Sequence, residues 1–264
     1  LAHLRELTRR AEAEGAQLTI WPEAAYPYRL PHAAGPAPVG ERGIVGGGIR
    51  GPVLAGLITH VPGDARYNAA TVVAPNGRMQ LPQAKMDLLW FGETVPFGDV
   101  FPWLRRTFQP RGALLPGQEV RLLHAHDARI AVLNCYEDTL PGRGRAMAAH
   151  APNLLVNVTN DAWFVPSAEP EIHLRLSVMR AIELRRSLVR AVNMGPSSWI
   201  DAAGRVRARH VGEEPGFVMA KPALLESPPT VFARFGHAPM GALLAGWALS
   251  GVLANARARK LARA

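Results

Sequence analysis

Ala131-Val132-Leu133-Asn134-Cys135-Tyr136-Glu137-Asp138 is an apolar run that stops on a cysteine, a tyrosine and two acids. Its length and apolar character predict a buried strand, so whatever follows Leu133 is presented at a strand end. Cys135 is the only cysteine in 264 residues. Two other segments are built the same way. Leu18-Thr19-Ile20-Trp21-Pro22-Glu23 is a strand-like run closing on a carboxylate, and Lys85 follows another strand and a turn. A base, a cation and a thiol, each just beyond a strand, are the parts of one pocket. A free thiol ionises near pH 8.5 and needs help to attack a carbonyl at neutral pH. A carboxylate can take its proton, while an ammonium favours the thiolate and the oxyanion that follows.

A chain of this length buries a sizeable core without disulfides. One cysteine excludes an intrachain disulfide and any multi-cysteine zinc site. The net charge of +9 comes mostly from scattered arginines with no aromatic interleaving, which argues against nucleic acid as a partner. No His/Asp/Glu set has metal-ligand spacing, and Gly46-Gly47-Gly48 lacks the helix and lysine of a phosphate loop. No metal or other cofactor is expected.

Along the chain, helical periodicity predicts helices over 1–14, ended by Gly15, over 142–149 and over 169–186. Strands are expected over 17–21, 53–60, 69–74, 119–124, 128–133, 153–159, 188–192 and 198–201, with turns at 75–77 and at His126-Asp127. Residues 31–48 and 85–118 read as irregular. Strands alternating with helices, interrupted by hairpins, predict a layered α/β domain with mixed sheets.

The C-terminus differs. From Ala238 to Ala256 there is no charge, and Arg257, Arg259, Lys260 and Arg263 follow. About 19 residues at 1.5 Å each reach across a hydrocarbon core, and a basic cluster beyond them favours the cytoplasmic side. The expected division is a catalytic domain over 1–228 and a membrane helix with a basic tail over 229–264. The chain opens on Leu1, already inside an amphipathic helix, and is expected to be a piece of a longer protein.

Trp21-Pro22-Glu23, Lys85, Phe91-Gly92-Glu93 with Val95-Pro96-Phe97, and Cys135-Tyr136-Glu137-Asp138 together resemble the nitrilase (carbon–nitrogen hydrolase) superfamily. Within it they are most similar to the apolipoprotein N-acyltransferase family. Tyr67-Asn68-Ala69, the run 155–164, His173-Leu174, 180–183 and Asn193-Met194-Gly195 extend the match to most of the chain. Leu89-Trp90 and Asn134 depart from the family's usual residues. The resemblance implies an α-β-β-α sandwich whose N-terminal strand and upstream membrane helices are missing here. It also implies that Glu23 is the general base, Lys85 the oxyanion stabiliser and Cys135 the nucleophile, supported by Glu93, Tyr136 and Glu137. The implied reaction moves an acyl chain from a membrane phospholipid, through a Cys135 thioester, to the N-terminal amine of a diacylglyceryl-cysteine apolipoprotein. The implied location is the bacterial inner membrane, with the catalytic domain periplasmic and the tail cytoplasmic.

Trp90 and Phe91, with Phe97, Phe101 and Trp103, read as a lid that touches lipid or as a structural loop. Trp163 and Phe164 read as acyl-pocket walls or as core. His173 reads as structural. Two other functions compete: a soluble amidase hydrolysing a small C–N bond with the same triad, and an inactive membrane-attached fragment.

Overall fold

Alternation along three strands sorts their side chains into three separate cores. Val53, Ala55 and Leu57 pack on one side of their strand, while Leu54 joins Ile130, Val132, Leu154, Val156 and Val158 on the other. Ala131, Leu133 and Leu155 point away from that middle layer, onto Met147, Leu174, Ala181 and Leu184 of two helices. Strands apolar on both faces belong between two covering layers. The outcome is an α-β-β-α sandwich. Each fully buried Leu, Val or Ile in it contributes about 1.5–3 kcal/mol before chain entropy is set against it.

The computed structural model describes residues 1–63, 65–98, 100–108, 114–210 and 214–261. The strands are β1 (Thr19–Ile20), β2 (Tyr26–Pro31), β3 (Gly35–Pro36), β4 (Val53–His60), β5 (Arg66–Val73), β6 (Arg78–Met79), β7 (Gln83–Ala84), β8 (Leu123–Ala125), β9 (Ala128–Asn134), β10 (Leu154–Asn160), β11 (Ser187–Asn193), β12 (Ser197–Ile200) and β13 (Val206–His210). The helices are α1 (Ala2–Ala13), α2 (Pro102–Phe108), α3 (Pro141–Ala148), α4 (Glu169–Leu184), α5 (Val231–Phe235) and α6 (Ala238–Leu261). Sheet I runs β1-β4-β5-β6-β3, with β2 also on β4 and β7 on β5; sheet II runs β13-β12-β11-β10-β9-β8. In sheet II, β9, β10 and β11 are parallel, so their C-terminal ends open on one rim. The free side of β1 borders a cavity of about 850 Å³ lined by Leu4, Leu7, Ile20, Val189 and Phe217, among others.

Helix α1 covers sheet I. Its Thr8 is buried, bonds back to the Leu4 carbonyl and accepts the Trp21 indole N–H at 2.9 Å, which satisfies the one polar atom of a buried ring. Arg5 and Arg9 donate to the carbonyls of Gly40, Gly46 and Gly47, so the glycine-rich loop is tied to the helix.

From 214 to 230 the chain has no regular structure and is stapled to sheet II and α4. Glu226 pairs with Arg129 at 2.6 Å and accepts from Asn153, Arg186 donates to the carbonyl and hydroxyl of Ser227, and Thr230 donates to the Glu183 carbonyl. Arg145 then holds the carbonyls of Ala233 and Arg234 in α5. Helix α6 follows. Its Ala238–Asn255 segment is long and apolar enough to cross a membrane, with a mean hydropathy of 1.2, and none of it is buried. Of the basic cluster, Arg263 lies outside the described residues.

Several elements differ from the sequence expectation. The expected strand over 17–21 shortens to Thr19–Ile20, because Pro22 has no N–H to continue the ladder. The expected 119–124 strand pairs only at Leu123–Ala125, since the Arg121 N–H turns to the Gln83 side chain. Pro27 and Pro31 disguised β2, which sits beside β4 across a register shift. β13 carries arginines and histidine on a sheet edge and so lacked an apolar signature. Within 85–118, expected to be irregular, α2 forms with Trp103 and Phe108 exposed, so it shows no buried stripe to read.

One glycine sets how closely the base approaches sheet I. A Cβ on Gly56 would stand 2.2 Å from the Pro22 carbonyl oxygen and 2.8 Å from the Glu23 Cα. Gly56→Ala is therefore expected to displace the Pro22–Glu23 turn and to cost about 1–3 kcal/mol, read as a lower urea midpoint.

Candidate active site

Three strand ends converge on the rim. Glu23 leaves β1 through a turn in which Ala24 has a φ of 48°. Its Oε1 accepts from Asn68 Nδ2 at 2.6 Å and from Lys85 Nζ at 3.3 Å, and its Oε2 accepts the Asn160 backbone N–H at 3.0 Å. Lys85 follows β7, its backbone N–H held by the Asn68 carbonyl at 2.7 Å. Its ammonium is 1% exposed and also reaches Glu93 Oε1 at 3.0 Å and Oε2 at 2.9 Å. Glu93 in turn accepts the Leu89 N–H, which closes its own turn. Asn68 bridges Glu23 and Glu93. Nothing in the residue pattern marked it out beyond its place in the resemblance.

Cys135 follows β9 directly and begins a 3₁₀ turn, Cys135–Thr139. It is half-buried, and its φ of 53° is one that a non-glycine residue rarely adopts. Asn157 holds that conformation by donating to the carbonyls of both Leu133 and Cys135, at 3.0 and 2.8 Å. The thiol lies within electrostatic reach of Glu23 and Lys85. Burial and Glu23 push it up to about 12 against the pull of Lys85, so at rest it is a neutral thiol. Burial works against the charge on Lys85, but the carboxylates of Glu23 and Glu93 outweigh it and keep the ammonium protonated. A neutral thiol beside a carboxyl and a permanent cation calls for a base that acts during attack rather than a preformed thiolate.

Glu137 ties the two halves together. Its Oε1 accepts the N–H groups of Met86 and Asp87, its Oε2 that of Asn134, and the side chain is fully buried. It therefore joins the residues after Lys85 to the residue before Cys135. Burial pushes its carboxyl up to about 7, although all three N–H groups and Lys85 pull it down. Tyr136 donates to the Leu88 carbonyl at 3.0 Å and lays its ring 5.5 Å from the Lys85 ammonium.

Behind the cysteine lies a second buried network. His173 reaches Asp138 with Nε2 at 2.8 Å and Asp161 with Nδ1 at 3.2 Å, and Arg190 pairs with Asp138. Burial opposes the imidazolium, but the hydrogen bonds to Asp138 and Asp161 raise His173 to about 9. Linear spacing had shown no metal-type set, yet the fold gathers ligand atoms of Asp161, Glu169 and His173 within 4.8 Å. An imidazolium donates from both nitrogens and has no lone pair for a cation, so the set reads as an ion-pair network.

The aromatics expected near the pocket are on the surface. Trp90 and Phe91 are 69% and 51% exposed, and Phe91 stacks edge-on to Phe108. Trp163 and Phe164 are exposed at 66% and 38%, so neither is core.

The model of the carbon-nitrogen hydrolase family matches residues 1–221. The chain belongs to the carbon-nitrogen hydrolase family. Its relatives include an apolipoprotein N-acyltransferase of Geobacter metallireducens, 32% identical over 97% of this chain and 50% of the relative. Another, of Bradyrhizobium diazoefficiens, is 35% identical over 87% of this chain and 44% of the relative. The chain thus spans about half the length of the curated relatives it matches. Among solved structures, an amidase from Nesterenkonia sp. superposes with a TM-score of 0.60 at 20% identity, over 92% of this chain and 90% of that one. At that identity the likeness is one of fold alone.

Two outcomes follow for this carbon-nitrogen hydrolase. Glu137→Gln turns one acceptor oxygen into a donor facing buried N–H groups, and is expected to lower stability by about 1–3 kcal/mol in urea unfolding. Raised from 6.5 to about 9, His173 stabilises the fold fully below pH 6.5, and that contribution, about 3 kcal/mol, fades as pH climbs through 9. In His173→Gln the slope of unfolding free energy between pH 6.5 and 9 should flatten; an unchanged slope would contradict the assignment.

Proposed function

We propose that this chain is the catalytic part of an apolipoprotein N-acyltransferase, with residues 1–228 as the catalytic domain and 229–264 as its C-terminal anchor. The observation that carries the reading is a carboxyl–ammonium pair beside a cysteine, in a chain that also exposes aromatics at 90–91 and 101–103 and an apolar, uncovered long helix. The names of the relatives support it. Glu23 acts as general base, Lys85 steadied by Glu93 as the oxyanion partner, and Cys135 as nucleophile. Tyr136 and Glu137 hold Lys85 and Cys135 in register.

The steps balance. The Cys135 S–H proton passes to Glu23 as sulfur attacks the ester carbonyl of a phospholipid. The tetrahedral oxyanion rests against Lys85. Its collapse expels the lysophospholipid alkoxide, which takes the proton back from Glu23 and leaves an acyl thioester. The free amine of a diacylglyceryl-cysteine at an apolipoprotein N-terminus then attacks, its proton moves to Glu23, and the thiolate leaves and recovers that proton. Trp90 and Phe91 lie on the turn that presents Glu93, and with Phe97, Val100, Phe101, Trp103, Trp163 and Phe164 they expose apolar surface suited to acyl chains. The reading puts the catalytic domain on the periplasmic face of a bacterial inner membrane and the basic tail in the cytoplasm, following the positive-inside rule.

The fold shared with the Nesterenkonia amidase favours a second reading, in which water takes the acyl group from Cys135 and a small amide is the substrate. Reconstitution of the full-length protein in phospholipid vesicles separates the two. A hydroxylamine-labile acyl adduct on Cys135, absent in Cys135→Ala, is expected, and Glu23→Gln should form it about 10²–10⁴-fold more slowly. No adduct with a folded site, or ammonia release from small amides instead, would reject the acyltransferase reading.

A further inference from the structure

The parallel register of sheet II sets Asn134 opposite Val158, so Cys135 and Thr159 are the next residues along where the β9–β10 pairing ends. Thr159 is fully buried. Its hydroxyl donates to Asp161 Oδ1 at 3.0 Å and lies close enough to the Cys135 side chain to favour its thiolate. Asn157, two residues earlier on the same strand, already fixes the Cys135 carbonyl. β10 therefore meets the cysteine twice, Asn157 holding its carbonyl and Thr159 lying beside its side chain. The Thr159 contact alone leads on into the buried network, since Asp161 meets His173, His173 meets Asp138, and Asp138 meets Arg190.

A hydroxyl has one proton and two lone pairs. With a neutral thiol, the S–H donates to Thr159 and Thr159 donates to Asp161. Once the S–H proton has gone to Glu23, sulfur has nothing to donate, and the contact stays favourable only if the hydroxyl proton turns toward it. Asp161 then loses one donor but keeps the His173 imidazolium. We infer that Thr159 is a positioning residue whose hydroxyl swings between Asp161 and the Cys135 sulfur, coupling the nucleophile to the buried Asp161–His173–Asp138–Arg190 network. The inference rests on the proposed role of Cys135. The other charged groups around the sulfur are Glu23 and Lys85 from sheet I, Glu93 behind Lys85, Glu137 on the turn after the cysteine, and Glu169 beside His173.

Because Cys135 is the only cysteine, alkylation of the whole chain in detergent reads this one thiol. The pH profile of iodoacetamide labelling is measured for the parent, Thr159→Val, Thr159→Ser, Asp161→Asn and the Thr159→Val/Asp161→Asn double variant, each checked for its fold by circular dichroism. Thr159→Val should label roughly 10–100-fold more slowly below the plateau, with the profile displaced to higher pH, and Thr159→Ser should restore it. Asp161→Asn, a weaker acceptor, should speed labelling, and that gain should vanish in the double variant if it travels through the hydroxyl. Profiles of Thr159→Val and parent that coincide, a Thr159→Ser as slow as Thr159→Val, or an Asp161 effect that persists in the double variant would each overturn the inference. Should Thr159→Val misfold, Thr159→Ala takes its place. The vesicle adduct assay with Cys135→Ala tests the nucleophile separately, so failure of one reading is not mistaken for failure of the other.

Discussion

An ammonium group with 1% of its surface exposed is a costly thing to fold around. Removed from water alone, Lys85 would lose several kcal/mol of solvation, and only close opposite charge offsets it. Glu23 and Glu93 supply that charge from opposite directions, and Asn68 spans the two so that neither carboxyl drifts. Much of the surrounding architecture serves this meeting. Gly56 lets the Glu23 turn lie against β4, the 89–94 turn folds back to present Glu93, and Glu137 pins the residues after Lys85 to the end of β9. The charge that makes the site expensive is also the field that a developing oxyanion would meet.

Much of this was legible in the residues because strand ends are legible. The run 130–133 is apolar throughout, and the polar residues that stop it stand at a rim. Glu23, Lys85 and Cys135 could be anticipated as neighbours on that ground, and the fold brings them together. The supporting contacts were hidden for a different reason. Asn68, Asn157 and Thr159 lie inside strands, where a polar side chain looks like an interruption until the partner across the sheet is known. The Asp138–His173–Arg190 network joins three elements far apart in sequence, so no spacing rule reaches it. Elements carrying proline or arginine, β2 and β13, were masked because their apolar content is low and their pairing partners do the work of holding them.

The two-sheet sandwich is shared with an amidase at low identity, so the fold alone does not choose a substrate. What separates the readings lies at the periphery. The chain exposes Trp90, Phe91, Phe101 and Trp103 in the segment that follows Lys85, and α6 exposes Leu243, Leu244, Trp247, Leu249 and Val252 along its length. On the reading proposed above, both apolar surfaces would meet lipid.

The stapled run from Glu226 to Arg234 bears on how such a site would work. Glu226, Ser227 and Thr230 fasten it to sheet II and α4, and Arg145 grips the last turn of α5 just ahead of α6. The root of the apolar helix is thus a pedestal rather than a leash. On the reading proposed above, the cleft would ride at a set working height over the lipid headgroups, and acyl donors would have to rise to the thiol by the same distance every time.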